Sequence, residues 1–180
     1  MQADIDMAGP LARAPERHAD AVLALLDRAA GLVVIAAIAA MVGVVATQVF
    51  MRYVMNSSIG WADEVSRLAF VWSIFLAIPL GIRRGAHIGI ELLTGRFPAR
   101  VRDGLARAMA AAGAGIAGLV CYETIILAEA QWDELMMTVD QSASLFLVPL
   151  AVGMAHTVLH LVRIVAFGPY PAAFAPGATE

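Results

Sequence analysis

The stretch "AAGLVVIAAIAAMVGVVATQVFM", which runs from Ala29 to Met51, decides the fold class. Its 23 residues include no charged side chain, and a helix of about 20 apolar residues crosses the ~30 Å hydrocarbon core of a bilayer. The whole chain of 180 residues is 61% hydrophobic and only 15% charged, with a mean hydropathy of +0.77. Soluble domains are more polar than this. The sequence therefore predicts an integral membrane protein.

Three further apolar runs predict an all-α protein with four transmembrane helices. Leu68–Ile82 and Ala108–Tyr122 are uncharged over 15 residues each. The first of these reaches spanning length if Arg67 and Arg83 extend to the interfaces, and the second continues past Glu123 to Ala128. Gln141–Val162 has 22 residues without a formal charge. We predict an N-terminal segment, a membrane domain with four spans and a flexible tail: 1–28; 29–163, with spans at about 29–51, 61–82, 104–128 and 141–162; and 164–180.

The arginines predict the orientation of these spans. All twelve basic residues are Arg, and only Arg52 and Arg67 fall on one side of the predicted membrane. The other ten share the opposite side: Arg13, Arg17, Arg28, Arg83, Arg84, Arg96, Arg100, Arg102, Arg107 and Arg163. Because basic residues concentrate in cytoplasmic segments, we expect an N-in/C-in topology.

Small residues and prolines predict how the spans pack. Ala110, Ala114 and Gly118 recur at four-residue spacing, and such a row lets helices approach closely in a membrane, either within one bundle or between subunits. Pro79 and Pro149 fall inside predicted spans and are expected to kink them. We also predict a short amphipathic cytoplasmic segment before span three. It begins near Pro98 and carries an apolar row: Val101, Leu105 and Met109.

Several function classes find no support in the sequence. The net charge of −3 gives no basic surface for nucleic acid. The lone Cys121 forms neither an internal disulfide nor a multi-cysteine metal site. Nucleophile-elbow, phosphate-binding-loop and zinc-protease motifs do not occur. We therefore predict that the chain is not an enzyme and needs no cofactor.

Ionisable residues inside spans leave two interpretations open for Glu123 and two for the histidines. Glu123 is a candidate proton or cation site in a small stand-alone exporter, or simply a side chain that reaches the interface. His156 and His160 lie four residues apart on one helical face. In one interpretation they are neutral side chains that form hydrogen bonds with neighbours. In the other, His160 binds haem together with His87 or His156, and the chain is a membrane anchor or electron-transfer subunit.

The start of the second span is rich in interfacial residues. Asp63 and Glu64 fall in the first helical turn, where carboxylates interact favourably with the helix dipole. Glu64 and Arg67 are three residues apart, so they are expected to pair. Trp61 is typical of the membrane interface.

The segment from about Arg52 to Pro98 resembles the DctQ-like small membrane subunit of tripartite ATP-independent periplasmic (TRAP) transporters. The family pattern has an Arg-Tyr end to span one, an Asn/Ser turn, Trp-x-Glu-Glu, a Trp-containing span, and a closing Gly/Arg/His/acid/Leu-Leu stretch. Asp63 and Glu91 are substitutions that keep charge. The matching residues are Arg52, Tyr53, Asn56, Ser57, Trp61, Glu64, Trp72, Gly81, Arg84, Gly85, His87, Ile88, Glu91, Leu92 and Leu93.

This resemblance implies a scaffold subunit in the cytoplasmic (inner) membrane of a bacterium or archaeon. Its partners would be a large ion-coupled membrane subunit, a periplasmic solute-binding protein and membrane lipid, in a system that imports an organic acid or similar solute. Interface candidates at the periplasmic end are Trp61, Asp63, Glu64 and Arg67. Candidates for the cytoplasmic turn and its lipid or partner contacts are Arg83, Arg84, His87 and Glu91.

Overall fold

The computed structural model describes residues 14–83 and 98–168, together with Tyr170. These residues form four long helices and a short 3-10 helix, Ala143–Phe146, that leads into the last of them. The long helices are α1 (Ala14–Tyr53), α2 (Ala62–Arg83), α3 (Ala99–Ala130) and α4 (Val148–Phe167).

All four helices are long and apolar enough to cross a membrane, and the described residues include no β-strand beyond one isolated bridge between Leu135 and Ser142. The prediction of an all-α membrane protein with four spans is therefore confirmed.

Helices α1 and α3 begin on the same side of the bundle where α2 and α4 end. We call this side the terminal face and the other side the loop face. Which of the two is cytoplasmic stays a prediction from the arginines.

Helix α1 begins 15 residues before the predicted first span and has 40 residues, or about 60 Å at 1.5 Å per residue. The sequence analysis placed residues 1–28 in an N-terminal segment before the first span, and the structure shows that residues 14–28 belong to the same helix as this span. The helix continues because Leu23, Asp27 and Ala30, spaced at four and three residues, all lie buried on one face. That continuous face makes the described part of the N-terminal segment, from Ala14 onward, part of the bundle.

Of the three prolines that the sequence analysis interpreted, two stand at helix starts. Pro98 is the N-cap residue of α3, close to the predicted start. Pro149 was expected to kink span four, and this is wrong: it lies in the first turn of α4, after the 3-10 helix. Its missing N–H costs nothing there, because the first N–H groups of a helix have no intrahelical acceptor. Pro79 lies inside α2 as predicted.

The small residues of α3 form a seam against α4, but the seam differs from the predicted row. Ala110 is buried with Leu161 and Ile164 of α4, and Ala114 packs against this cluster. A Cβ on Gly118 would meet no atom within 4 Å. Four-residue steps drift around a helix, so Gly118 is rotated by about 80° from Ala110. Seven-residue steps stay closer to one line, and the buried residues follow them: Ala110, Ala117 and Thr124.

The closest approach between helices occurs where α4 crosses α2. A Cβ built on Gly153 would lie 2.3 Å from the backbone oxygen of Phe75 and 2.9 Å from its carbonyl carbon. A backbone carbonyl cannot swing away as a side chain does, so only glycine fits at this crossing.

We predict that Gly153→Ala lowers the stability of the bundle by about 2 kcal/mol, because the added methyl group must push α2 and α4 apart. Gly118→Ala is the matched control, since its methyl group enters open space on a helix and is expected to be neutral or stabilising by up to about 1 kcal/mol. Thermal unfolding of both variants in detergent measures the difference. Equal melting temperatures for the two variants would show that the close crossing does not exist.

Candidate functional site: polar clusters at the two ends of the bundle

Polar side chains from different helices meet at both ends of the bundle. At the terminal face they form what we call the terminal cluster, which has eight members: Glu16, Asp20, Asp27, Arg83, His156, His160, Arg163 and Tyr170. At the loop face, polar side chains and backbone N–H groups form the loop cluster, which has five members: Gln48, Asp63, Glu64, Met137 and Thr138.

Asp27 lies at the centre of the terminal cluster. Its side chain is only 8% exposed. Its Oδ2 accepts a hydrogen bond of 2.8 Å from Nη1 of Arg83, while its Oδ1 lies 2.9 Å from Nε2 of His160 and 3.0 Å from Nε2 of His156. One carboxylate thus joins α1 to α2 and α4. A buried carboxylate requires such partners, because leaving it unpaired is costly.

His160 is fully buried, with both ring nitrogens in contact with polar atoms. Its Nδ1 lies 2.8 Å from the hydroxyl oxygen of Tyr170, a residue that follows the end of α4. Burial raises the pKa of Tyr170 to about 12, although the nearby Arg163 opposes the shift. Because a buried phenolate is disfavoured, the hydroxyl group stays protonated at neutral pH and is available to His160 as a hydrogen-bond partner.

Arg163 fastens the end of α4 to the start of α1. Its Nε and Nη2 donate to the two carboxylate oxygens of Asp20 at 2.8 and 3.0 Å, in the bidentate geometry that suits a guanidinium group. Nη2 also donates to Glu16 at 3.2 Å, and Nη1 donates to the carbonyl of Gly168 at 2.8 Å. The guanidinium carbon lies 4.2 Å from the ring centroid of Tyr170, a cation–π distance.

The loop cluster fixes the connection between α3 and α4. The backbone N–H groups of Met137 and Thr138 each donate to the carboxylate of Glu64 at 2.8 Å, and the Thr138 hydroxyl donates to it as well. The expected pair of Glu64 with Arg67 is not found among the described contacts. Nearby, Nε2 of Gln48 donates to Oδ1 of Asp63 at 3.0 Å, which joins α1 to α2.

The predicted interface residues therefore fall at opposite ends of the bundle. Trp61, which is 47% exposed, lies beside Asp63, Glu64 and Arg67 at the loop face, whereas Arg83 lies in the terminal cluster. Three predicted residues of the turn after α2 are outside the described residues: Arg84, His87 and Glu91.

The sequence analysis missed the acidic half of the terminal cluster. It placed Glu16, Asp20 and Asp27 in the N-terminal segment 1–28, outside the predicted spans. A signal was available, because Glu16, Asp20 and Asp27 share one face of a helix at four- and seven-residue steps, and α4 carries a matching polar row of His156, His160 and Arg163.

The structure shows the surroundings of the ionisable residues that lie inside the predicted spans. Nε2 of His156 and Nε2 of His160 lie 3.2 Å apart on one helix, so these two histidines cannot bind opposite faces of a haem. The pairing of His160 with His87 falls outside the described residues. Glu123 is exposed on α3.

Comparisons with known proteins agree with this architecture. Residues 41–167 match the family model described as tripartite ATP-independent periplasmic transporters, DctQ component. This match covers well over half of the chain, from the middle of α1 to the end of α4.

Individual relatives match over shorter segments. A C4-dicarboxylate TRAP transporter small permease protein of Vibrio cholerae is 39% identical over 54 residues, which is 30% of this chain and 23% of that relative. A putative TRAP transporter small permease protein of Haemophilus influenzae is 30% identical over 73 residues, 41% of this chain and 45% of the relative. A sialic acid TRAP transporter small permease protein of Vibrio cholerae is 24% identical over 71 residues, which is 39% of this chain and 41% of that relative.

In each of these alignments the chain spans less than half of the relative's length. The relatives are nonetheless small permease proteins of one transporter type, which confirms the predicted resemblance and the prediction that the chain is not an enzyme. With four helices able to span a membrane, it is a multi-pass protein of the inner membrane. The chain therefore belongs to the DctQ component family of the tripartite ATP-independent periplasmic transporters.

Proposed function

We propose that this chain is a scaffold subunit that packs against a large ion-coupled membrane subunit and helps to form the face on which a periplasmic solute-binding protein docks. The observation that carries the proposal is the contrast between the inside and the outside of the bundle. Its polar groups are hydrogen-bonded to one another at both ends, whereas only 6% of the most apolar 18-residue stretch of α1 is buried. Such a bundle offers a fixed outer surface to a partner.

The groove between α1 and α2 is the surface that suits a partner helix. Small side chains are common in it, which permits close helix–helix approach in a membrane. Its lining residues are Val33, Ala36, Ala37, Ala40, Val65, Leu68, Ala69 and Trp72. We propose that the large membrane subunit packs along this groove.

The loop face is the surface that we assign to the binding protein. Glu64 fixes the backbone of Met137 and Thr138 next to the start of α2, so Trp61, Asp63 and Arg67 stand beside an ordered loop. A preformed docking surface loses less entropy on association than a mobile one. The arginine distribution supports a periplasmic location for this face.

The terminal face would then be cytoplasmic. There Arg83 has a structural role through Asp27. Arg84, His87 and Glu91 remain our candidates for lipid or partner contacts at the turn that follows α2.

The solute is proposed from the relatives. Two of those described above are named for a solute, one for C4-dicarboxylates and one for sialic acid, and both of these are organic acids. We propose import of an organic acid or a similar solute, with selectivity located in the partner proteins.

We predict that the affinity-tagged chain copurifies with a much larger multi-span membrane protein from its own cells. Ala40→Trp, which fills the groove, should abolish most of the copurification, as measured by mass spectrometry of the detergent-purified complex. Ala112→Trp is the matched control, because Ala112 is exposed on α3, away from the groove. Solute uptake by liposomes that contain only this chain would contradict the subunit role.

We predict that Glu64→Ala releases the loop between α3 and α4, because three donors lose their common acceptor. Hydrogen exchange of the Met137 and Thr138 amides should become several-fold faster, while exchange within α3 stays unchanged. Glu129→Ala removes an exposed carboxylate close to the same loop and serves as the control. Unchanged exchange in Glu64→Ala would show that Glu64 does not fix the loop.

A further inference from the structure

We propose that Asp27, His156 and His160 form a binding site for one divalent transition-metal ion, of which Zn²⁺ is the best fit, and that this ion fastens α1 to α4. The site is separate from the proposed transporter role and does not depend on it. All three side chains are buried at the terminal face.

The spacing of the three atoms is that of ligands around a small ion. Nε2 of His156 and Nε2 of His160 are 3.2 Å apart, and Oδ1 of Asp27 lies 3.0 and 2.9 Å from them. Ligands at about 2.1 Å from a zinc ion are separated by about 3.0 to 3.4 Å in octahedral and tetrahedral geometry. The triangle therefore has nearly the edges that a bound ion requires, without a large movement of any helix.

Protons alone do not satisfy this triangle. If both imidazoles carry a proton on Nε2 and donate to Asp27, the two N–H groups oppose each other at 3.2 Å. If one Nε2 is unprotonated, its lone pair faces the carboxylate oxygen at about the same distance. While Asp27 is ionised, every arrangement with neutral imidazoles leaves one of the three contacts unfavourable, because each Nε2 either donates or accepts a hydrogen bond and cannot do both. A central cation makes all three contacts favourable at once.

The contacts behind the triangle are those expected of metal ligands. Nδ1 of His160 lies 2.8 Å from the Tyr170 hydroxyl, so its proton can be placed on Nδ1 and the Nε2 lone pair directed to the ion. Arg83 binds Oδ2 of Asp27 and leaves Oδ1 free to turn to the histidines. Such outer partners orient the ligands of most protein metal sites.

The ligand set favours zinc and its neighbours over the alkaline-earth ions. Two imidazoles and one carboxylate suit Zn²⁺, Co²⁺ or Ni²⁺, whereas Mg²⁺ and Ca²⁺ prefer oxygen ligands throughout. Water would complete the coordination of the ion. Because the ligands come from α1 and α4, which the ion pairs of Arg163 with Asp20 and Glu16 also join, the ion would act as a second structural fastener.

The test uses the full-length chain with a tag that contains no histidine, purified in detergent with any membrane partner that remains bound. The protein is stripped with EDTA and titrated with Zn²⁺ in competition with a chromophoric chelator. We expect one ion per chain. His156→Gln should weaken Zn²⁺ binding at least 100-fold, and His18→Gln, at an exposed position of α1 outside the triangle, should leave it unchanged. Equal affinity in the wild type and in His156→Gln would overturn the proposal.

A second readout needs no variant. The stripped wild-type protein, mixed with Co²⁺, should develop the visible d–d absorption bands of a cobalt ion that is bound by nitrogen and oxygen ligands. Addition of Zn²⁺ should displace the cobalt and remove these bands. Zn²⁺ should also raise the melting temperature of the stripped protein. Absence of the bands, or a melting temperature that Zn²⁺ leaves unchanged, would overturn the proposal even if His156→Gln failed to fold.

Discussion

The carboxylate of Asp27 is the junction on which the arrangement of this bundle depends. It contacts Arg83 of α2 and two histidines of α4 from its position on α1. Apolar surfaces give helices little reason to associate in lipid, because lipid tails are as apolar as the side chains. A buried carboxylate, in contrast, strongly disfavours any arrangement that leaves it unpaired. The position of α1 relative to α4 is therefore specified by polar contacts.

The two ends and the middle of the bundle are fixed by different physical means. Arg163 and Glu64 join segments distant in sequence through charge-assisted hydrogen bonds, whereas the middle relies on small residues such as Gly153, which brings α4 against the backbone of α2. The result is a bundle whose internal geometry is set while the outer face of α1 remains available. This is the division expected if the chain is the scaffold subunit proposed above.

The sequence allowed the four helices to be predicted, because each uncharged run exceeds or approaches the bilayer thickness, but it did not allow the helix faces to be paired. The periodicity that puts His156, His160 and Arg163 on one face of α4 is visible in the sequence. Their partners Asp27, Asp20 and Glu16 lie about 130 to 147 residues away. The shared helix face of these acids is visible in the sequence, but it does not show which other helix they contact. Glu64 was assigned to Arg67 for the same reason: spacing within a helix is readable, whereas the loop that supplies Met137 and Thr138 is not.

A double-mutant cycle between Asp27 and Arg83 tests most directly whether polar contacts set the geometry of the bundle. The free energy of unfolding in detergent would be measured for Asp27→Asn, Arg83→Gln and the double variant. The account predicts that the double variant is more stable than the sum of the single effects implies, by about 1 kcal/mol or more. Strictly additive effects would contradict it, since they would mean that the two side chains do not interact across α1 and α2.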